Sequence, residues 1–189
     1  MFKKIANKKL INALQIAINA LEKDFVYYNW TEQESCNCGV VIQAVLNKTE
    51  KEVKKLFDKA YDQTLYTLTD CTWRSVAKFS CTITGIPLTQ VFKLLGEYGM
   101  QPEDIVHLEY LNNPGILEIS EIDTTKSEYY SEQENLIKYL KAWLIILEGK
   151  TSEYKLSIRG ELEAKLLLAV NQENFESAWE LRDKISSLK

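Results

Sequence analysis

Apolar residues recur at three- and four-residue steps along most of this chain, and that spacing limits what the chain can fold into. The pattern is complete between Lys8 and Leu21. Its apolar members are Leu10, Ile11, Leu14, Ala17, Ile18 and Leu21. Residues at this spacing share one face of an α-helix. Strand-like alternation is scarce, with one short candidate strand at Phe79, Cys81 and Ile83. The sequence therefore predicts a mainly α protein.

Local start and stop signals add further helices to this pattern. Short helices are predicted over 39–46 and over about 49–61, and the second begins with the capping-box pair Thr49 and Glu52. Another helix is predicted over about 102–111, because a proline at the first helical position needs no hydrogen-bond donor. Each helix has an apolar face, so the segments are expected to pack on one another.

Composition along the chain predicts four segments. Its 189 residues, 46% of them hydrophobic, suit one compact domain with an appended element. A helical globular domain is predicted over 1–115, and a surface linker rich in Glu, Ser, Thr and Tyr over 116–133. Within that linker, Leu117, Ile119 and Ile122 hint at a strand. A connecting helix is predicted over 134–149 and a helical hairpin over 156–189.

Charge and hydropathy exclude several function classes. The net charge is −4, so the chain as a whole has no positive electrostatic potential that would attract a polyanion such as nucleic acid. Two lysine sets at helical spacing are interpreted as solvated faces; they are Lys3, Lys4, Lys8 and Lys9, and Lys51, Lys54, Lys55 and Lys59. The longest apolar run, 142–147, is too short for a membrane span, and the first residues lack a secretory pattern. We expect a cytoplasmic protein that contacts neither membrane nor nucleic acid directly.

Two amphipathic segments near the C-terminus predict the hairpin. The first has Leu162, Leu166, Ala169 and Val170 on one helical face. The second has Phe175, Ala178, Leu181, Ile185 and Leu188 at the same kind of spacing. A polar connection at 171–174 joins them, and Asn174 is a good N-cap for the second helix. Two such faces can close on each other as an antiparallel αα-hairpin.

The second segment also carries a family resemblance. From Phe175 to Ile185 it reads FESAWELRDKI, with Leu188 after it, and this run resembles the UVR motif of the nucleotide-excision-repair proteins UvrB and UvrC. Ala169, Leu166 and Leu162 match the apolar positions of that motif's first helix. The resemblance implies an antiparallel helical hairpin that mediates protein–protein contact, either with a partner or by self-association. It implies no excision-repair activity, since the nucleotide-binding and nuclease regions of those proteins are absent.

The candidate partner-binding residues follow from this resemblance. They are Phe175, Ala178, Trp179, Leu181, Arg182, Asp183, Ile185 and Leu188. Trp179 departs from the family, which usually has a small or polar residue at that position. It is either an outward anchor for a partner or an inward contact with the rest of the chain. Arg182 and Asp183 are either a solvated charge pair or a polar rim that sets partner geometry.

The four cysteines are the main candidates for chemistry. Cys36 and Cys38, placed in a loop before a helix, could join Cys71 and Cys81 in a zinc site, although their spacing departs from the usual Cys-x2–4-Cys pairs. The other interpretation is four thiols in a reducing cytosol. A third possibility makes Cys36 or Cys38 a nucleophile with His107, the sole histidine, as its base.

These observations predict a function only in general terms. Gly-rich phosphate loops, His-Glu-x-x-His and Gly-x-Ser-x-Gly are missing, so an enzyme is not the favoured interpretation. The first hypothesis is a non-enzymatic cytoplasmic adaptor or regulator that acts through the C-terminal hairpin. The alternative is a cysteine-dependent metal-binding or thiol-active protein. In a third hypothesis the hairpin is merely part of a single helical core, and its removal would prevent folding.

Overall fold

All regular structure in the described part of the chain is helical. The computed structural model describes residues 8–67, 89–172 and 174–187. Within these ranges the α-helices are α1 Lys8–Glu22, α2 Asn37–Leu46, α3 Glu50–Thr67, α4 Thr89–Gly96, α5 Pro102–Tyr110, α6 Pro114–Ser120, α7 Gln133–Leu147, α8 Thr151–Asn171 and α9 Phe175–Ser187. A 3-10 helix covers Tyr129–Ser131. The mainly α prediction is confirmed, and the candidate strand at 79–83 lies outside the described residues.

The chain divides into two compact units. The first extends over Met1–Leu147 and contains α1 to α7. The second extends over Glu148–Lys189 and consists of α8 and α9, packed against each other. The helix predicted over 134–149 corresponds to α7, which packs on α1 and α6 and therefore belongs to the first unit. Leu136, Tyr139 and Leu140 are fully buried along it, so α7 is a core helix of that unit.

Helix α2 lies at the centre of the first unit. It packs against α1, α3, α4 and α5. Every residue from Asn37 to Ala44 is buried, and Val40, Val41 and Ile42 have no exposed surface. The helix begins two residues earlier than the sequence predicts, so Cys38 lies within it and Cys36 is its N-cap residue. A helix apolar on all sides is stable only when neighbours cover it on all sides, as they do here.

Two amide side chains of α2 hold the surrounding loops. The Gln43 amide donates to the Tyr27 and Glu34 carbonyl oxygens, at 3.1 and 2.8 Å. The Asn37 amide donates to the Glu109 carbonyl at 3.0 Å and to the Tyr130 carbonyl at 2.9 Å. A buried carbonyl without a partner costs about 1–3 kcal/mol. These bonds therefore tie the loop before α2, the end of α5 and the 3-10 helix to one buried helix.

The segment predicted as a linker, 116–133, begins with a packed helix. The side chain of Asn113 caps α6 by accepting from the Gly115 and Ile116 amides, at 3.0 and 3.3 Å. Pro114 occupies the first turn, where its missing N–H has no cost. Ile116 and Ile119 are buried, and α6 packs on α7. The strand hinted at by Leu117 and Ile119 is therefore wrong, because a proline-started, asparagine-capped turn favours a helix.

Gly39 is required by the close approach of a loop to α2. A Cβ atom at this position would overlap the backbone of Gln33 and Glu34. We expect Gly39→Ala to lower the free energy of unfolding by about 2 kcal/mol or more, because neither the loop nor the buried helix can move freely. Urea unfolding followed by circular dichroism measures the change.

Gly96→Ala is the matched control for this substitution. Gly96 lies at the end of α4, where an added Cβ meets nothing within 4 Å. We expect its stability to be unchanged or raised by up to about 1 kcal/mol. Equal effects of the two substitutions would contradict the role given to Gly39.

Alkaline pH is expected to destabilise the first unit through two tyrosines. Burial raises the pKa of Tyr28 and of Tyr139 above the ordinary value of a phenol. Above pH of about 10 the unfolded phenols lose their protons while the folded ones keep them, so stability falls as pH rises. Tyr139→Phe should reduce that slope by up to about 1.4 kcal/mol per pH unit in urea titrations between pH 9 and 11. An unchanged slope in Tyr139→Phe would contradict the role given to this buried phenol.

Candidate protein-interaction site

The second unit is an antiparallel helical hairpin with a capped turn. Helix α8 ends at Asn171, one residue into the predicted connection, and α9 begins at Phe175, as the sequence predicts. The Asn174 amide N donates to the Ala169 carbonyl at 2.9 Å, and the Asn174 side chain accepts from the Ser177 amide at 3.3 Å. The predicted N-cap is therefore present. Helix α8 starts at Thr151, five residues before the predicted start of the hairpin.

Small residues bring the two helices together. Ala169 of α8 and Ala178 of α9 are the buried residues of the hairpin in the described part of the second unit. The larger apolar residues on the same faces are half-buried; they are Leu162, Leu166, Leu181 and Ile185. Val170 was predicted on this inner face but is 47% exposed, because it lies about 100° around the helix from Ala169. Leu188 lies outside the described residues.

Large apolar side chains remain on the outside of the hairpin. Phe175 is 62% exposed and Trp179 is 59% exposed, one turn apart on α9. On α8 the exposed apolar residues are Leu156, Leu167, Leu168 and Val170. Two short helices contact each other along only one stripe each, so the remaining apolar residues stay exposed. Leu156, Leu167 and Leu168 were not among the predicted contact residues, although they are apolar residues that fall outside the spacing of the inner face, and that is a signal in the sequence.

Trp179 and Arg182 form one exposed pair on α9. The central carbon of the Arg182 guanidinium lies 4.0 Å from the centre of the indole ring, within the range of a cation–π contact. Trp179 is exposed, as the outward alternative for this residue requires. Asp183 Oδ1 lies 3.6 Å from Arg182 Nη2, with both side chains largely exposed, so this ion pair contributes little.

The predicted partner-binding residues therefore occupy two different faces. Phe175, Trp179, Arg182 and Asp183 are exposed on α9. Ala178, Leu181 and Ile185 face α8 and shape the hairpin, since they are buried or half-buried. The inner set determines the form of the hairpin, and the outer set is the surface that another molecule could touch.

The family comparison identifies this same element. A family model described as the UvrB/uvrC motif matches residues 156–189. These residues carry a UVR motif. The match covers most of α8 and all of α9 but less than a fifth of the chain, and the N-terminal region matches no family model. No curated protein and no solved structure matches the chain. In the described ranges, no helix combines the length and the apolar character needed to cross a bilayer.

The cysteine pair at the start of α2 is enclosed by protein. Cys36 and Cys38 are buried, whereas Cys71 and Cys81 lie outside the described residues. The Cys36 thiol donates to the Gln33 carbonyl at 3.3 Å, and the Cys38 thiol donates to the Ile105 carbonyl at 3.7 Å. Among the described residues, no group of three or more His, Cys, Asp or Glu side chains is placed to hold a metal ion. The four-cysteine zinc site stays a prediction.

The thiol-nucleophile hypothesis also stays a prediction. His107 lies on α5, where its Nδ1 is 2.6 Å from Asn112 Oδ1. This contact is a local link between the end of α5 and the turn that follows it.

Zinc content tests the cysteine hypotheses directly. Each of the two described thiols lies against a backbone carbonyl, whereas a structural zinc site needs four ligands that converge on one point. We therefore expect protein purified under reducing conditions to contain no stoichiometric zinc by elemental analysis. One zinc per chain that disappears when Cys36→Ser and Cys38→Ser are combined would contradict this expectation and favour the metal-binding alternative.

Proposed function

We propose that this protein is a non-enzymatic adaptor or regulatory protein that acts through protein–protein contacts of its C-terminal hairpin. The observation that carries the proposal is the UVR motif on a hairpin with exposed Phe175 and Trp179. The UVR motif is known from UvrB and UvrC, which supports a role in macromolecular contact. We further propose that the protein works in the cytoplasm.

The energetics of a small hairpin support a contact role. Structures below about 40 residues rarely bury enough apolar surface to be stable alone. Phe175 and Trp179 are exposed, so a second surface that covers them would remove their apolar area from water. Such burial stabilises a contact by about 25 cal/mol for each Å² of apolar area. Tryptophan is enriched among the residues that contribute most to binding. The occupant of this surface is a protein partner or a second copy of the chain.

The charge arrangement favours a protein partner over nucleic acid. The chain carries a net charge of −4. Lys54, a member of the second lysine set, and Lys48, three residues before that set, form ion pairs with carboxylates. Lys54 lies 3.1 Å from Glu34, and Lys48 lies 3.7 Å from Glu52. Phosphate-driven affinity depends on several unneutralised cations acting together.

The hairpin role is tested by comparing the full chain with a variant that ends at Gly149. This end point leaves α1 to α7 complete. Affinity capture followed by mass spectrometry identifies partners, and light scattering after size exclusion gives the oligomeric state. We expect the shortened protein to fold and to lose a partner or its self-association. Unchanged partners and oligomeric state would contradict the proposal, and failure to fold would favour the single-core hypothesis.

A point substitution tests the same role without removing any element. Trp179→Ala should weaken the contact by about 2 kcal/mol, roughly 30-fold in affinity, as expected of a central anchor. Circular dichroism should be unchanged, since the side chain is largely exposed. Phe25→Ala removes an aromatic side chain that is 77% exposed in the first unit and serves as the matched control. Equal effects on binding would contradict a specific role for the hairpin.

A further inference from the structure

A pocket of about 370 Å³ lies between the C-terminal halves of α1 and α2, within the first unit. Pockets for small molecules have volumes of about 300–1,000 Å³, so this one suits a small ligand. Its lining comes from the second half of α1 and the connection after it, 16–26, and from the end of α2 and the turn after it, 43–49. We name the pocket between these two ranges the α1–α2 pocket.

The apolar walls of the α1–α2 pocket come from both helices and from the connection after α1. Ile16 and Ala20 lie one turn apart on α1, and Ala44 lies on α2. Phe25 and Val26 follow α1 and complete the walls. Ile16 and Phe25 are exposed, so a ligand that covers them removes apolar area from water. The ligand is therefore expected to have an apolar body.

Two lysines give the α1–α2 pocket a positive charge. Lys23 and Lys48 both line it, and among the residues that the structure describes no carboxylate lines it. Lys48 is partly neutralised by Glu52, whose Oε1 lies 3.7 Å from the ammonium. Lys23 Nζ lies over the Phe25 ring, 5.9 Å from its centre, and forms no ion pair within the described ranges. Lys23 is therefore the main cation available to a ligand.

The acidic residues that flank the α1–α2 pocket in the chain are offset by other groups. Glu22 Oε1 lies 2.6 Å from Lys141 Nζ. Asp24 Oδ1 accepts from the Gln133 side-chain amide at 3.4 Å. Glu50 lies in the first turn of α3, where the helix dipole favours a negative charge. These contacts weaken the repulsion that an anion in the pocket would meet.

The helix ends beside the α1–α2 pocket do not make it a cation site. Carbonyls at the C-terminal end of a helix carry partial negative charge and favour a cation when they are unpaired. Here the Ala20 carbonyl accepts from the Phe25 amide at 2.9 Å. The Gln43 carbonyl accepts from the Lys48 amide, also at 2.9 Å. Since these acceptors are paired and Lys23 is not, the pocket favours an anion over a cation.

We infer that the α1–α2 pocket binds a small organic monocarboxylate, with its carboxylate on Lys23 and its apolar body against Ile16 and Val26. One unpaired cation matches a single negative charge better than a phosphate group, which carries about −1.5 to −2. Lys23 is the specificity-determining residue, because its ammonium stands beside the apolar wall that receives the body. The pocket belongs to the first unit, so the inference goes beyond the proposed function and does not rest on it.

Titration of the full chain with two acids, hexanoate and phenylacetate, tests the inference by two-dimensional amide NMR. We expect at least one acid to bind with a Kd of about 1 mM or below, as ligands of this size permit. The shifted amides should be centred on 16–26 and 43–49. The matched alcohols, hexanol and phenylethanol, keep the apolar body and lack the charge. They should bind about fivefold more weakly than the acids.

Lys23→Gln should weaken binding of the acids about fivefold and leave binding of the alcohols unchanged, because it removes only the charge. Lys23 is exposed, so the amide spectrum should show an intact fold. Lys93→Gln is the matched control, since Lys93 is an exposed lysine on α4 outside the pocket lining. It should bind the acids as the unchanged protein does.

Several results would overturn the inference. They are that neither acid binds, that the shifted amides lie away from the α1–α2 pocket, that an alcohol binds as tightly as its acid, or that Lys23→Gln binds the acids as Lys93→Gln does. None of them would affect the proposed function, which is tested through the hairpin.

Discussion

The burial of α2 is the constraint on which the first unit depends. Eight consecutive residues, 37–44, are enclosed by four other helices and by the loop before α2. The polar side chains Asn37 and Gln43 are satisfied by carbonyls of the enclosing segments. A polar group left unpaired in such a place costs more than the bond itself contributes. The loops around α2 are therefore held in place by the requirement that each of these bonds be made.

The hairpin of the second unit is governed by the opposite condition. Its inner face is built on Ala169 and Ala178, which permit close approach but bury little area. Half of its described large apolar side chains, Phe175 and Trp179 among them, stay exposed. An element with little burial of its own gains most when another surface covers it. The same feature that limits the stability of the hairpin makes it suited to contact.

The location of the cysteines illustrates how tertiary packing changes a chemical interpretation. In the sequence, Cys36 and Cys38 form a pair that metal or redox chemistry could use. In the structure, Cys36 ends a loop, Cys38 lies inside the buried helix α2, and each thiol donates to a backbone carbonyl. Both thiols are therefore buried rather than exposed in a loop. Packing around α2, which sequence spacing does not reveal, places them there.

The sequence by itself determined the helices with a single apolar face. Helix α1, the Asn174 cap and the α8–α9 hairpin follow from spacing and local hydrogen bonding, which depend on residues three or four apart. The same local rules account for α6, which forms where a linker was predicted, because Asn113 caps it and Pro114 starts it. Tertiary structure decided what those rules cannot: that α7 belongs to the first unit. It also decided that Trp179 is exposed beside Arg182. These outcomes depend on which surfaces meet, and contacts between residues distant in the chain leave no local pattern.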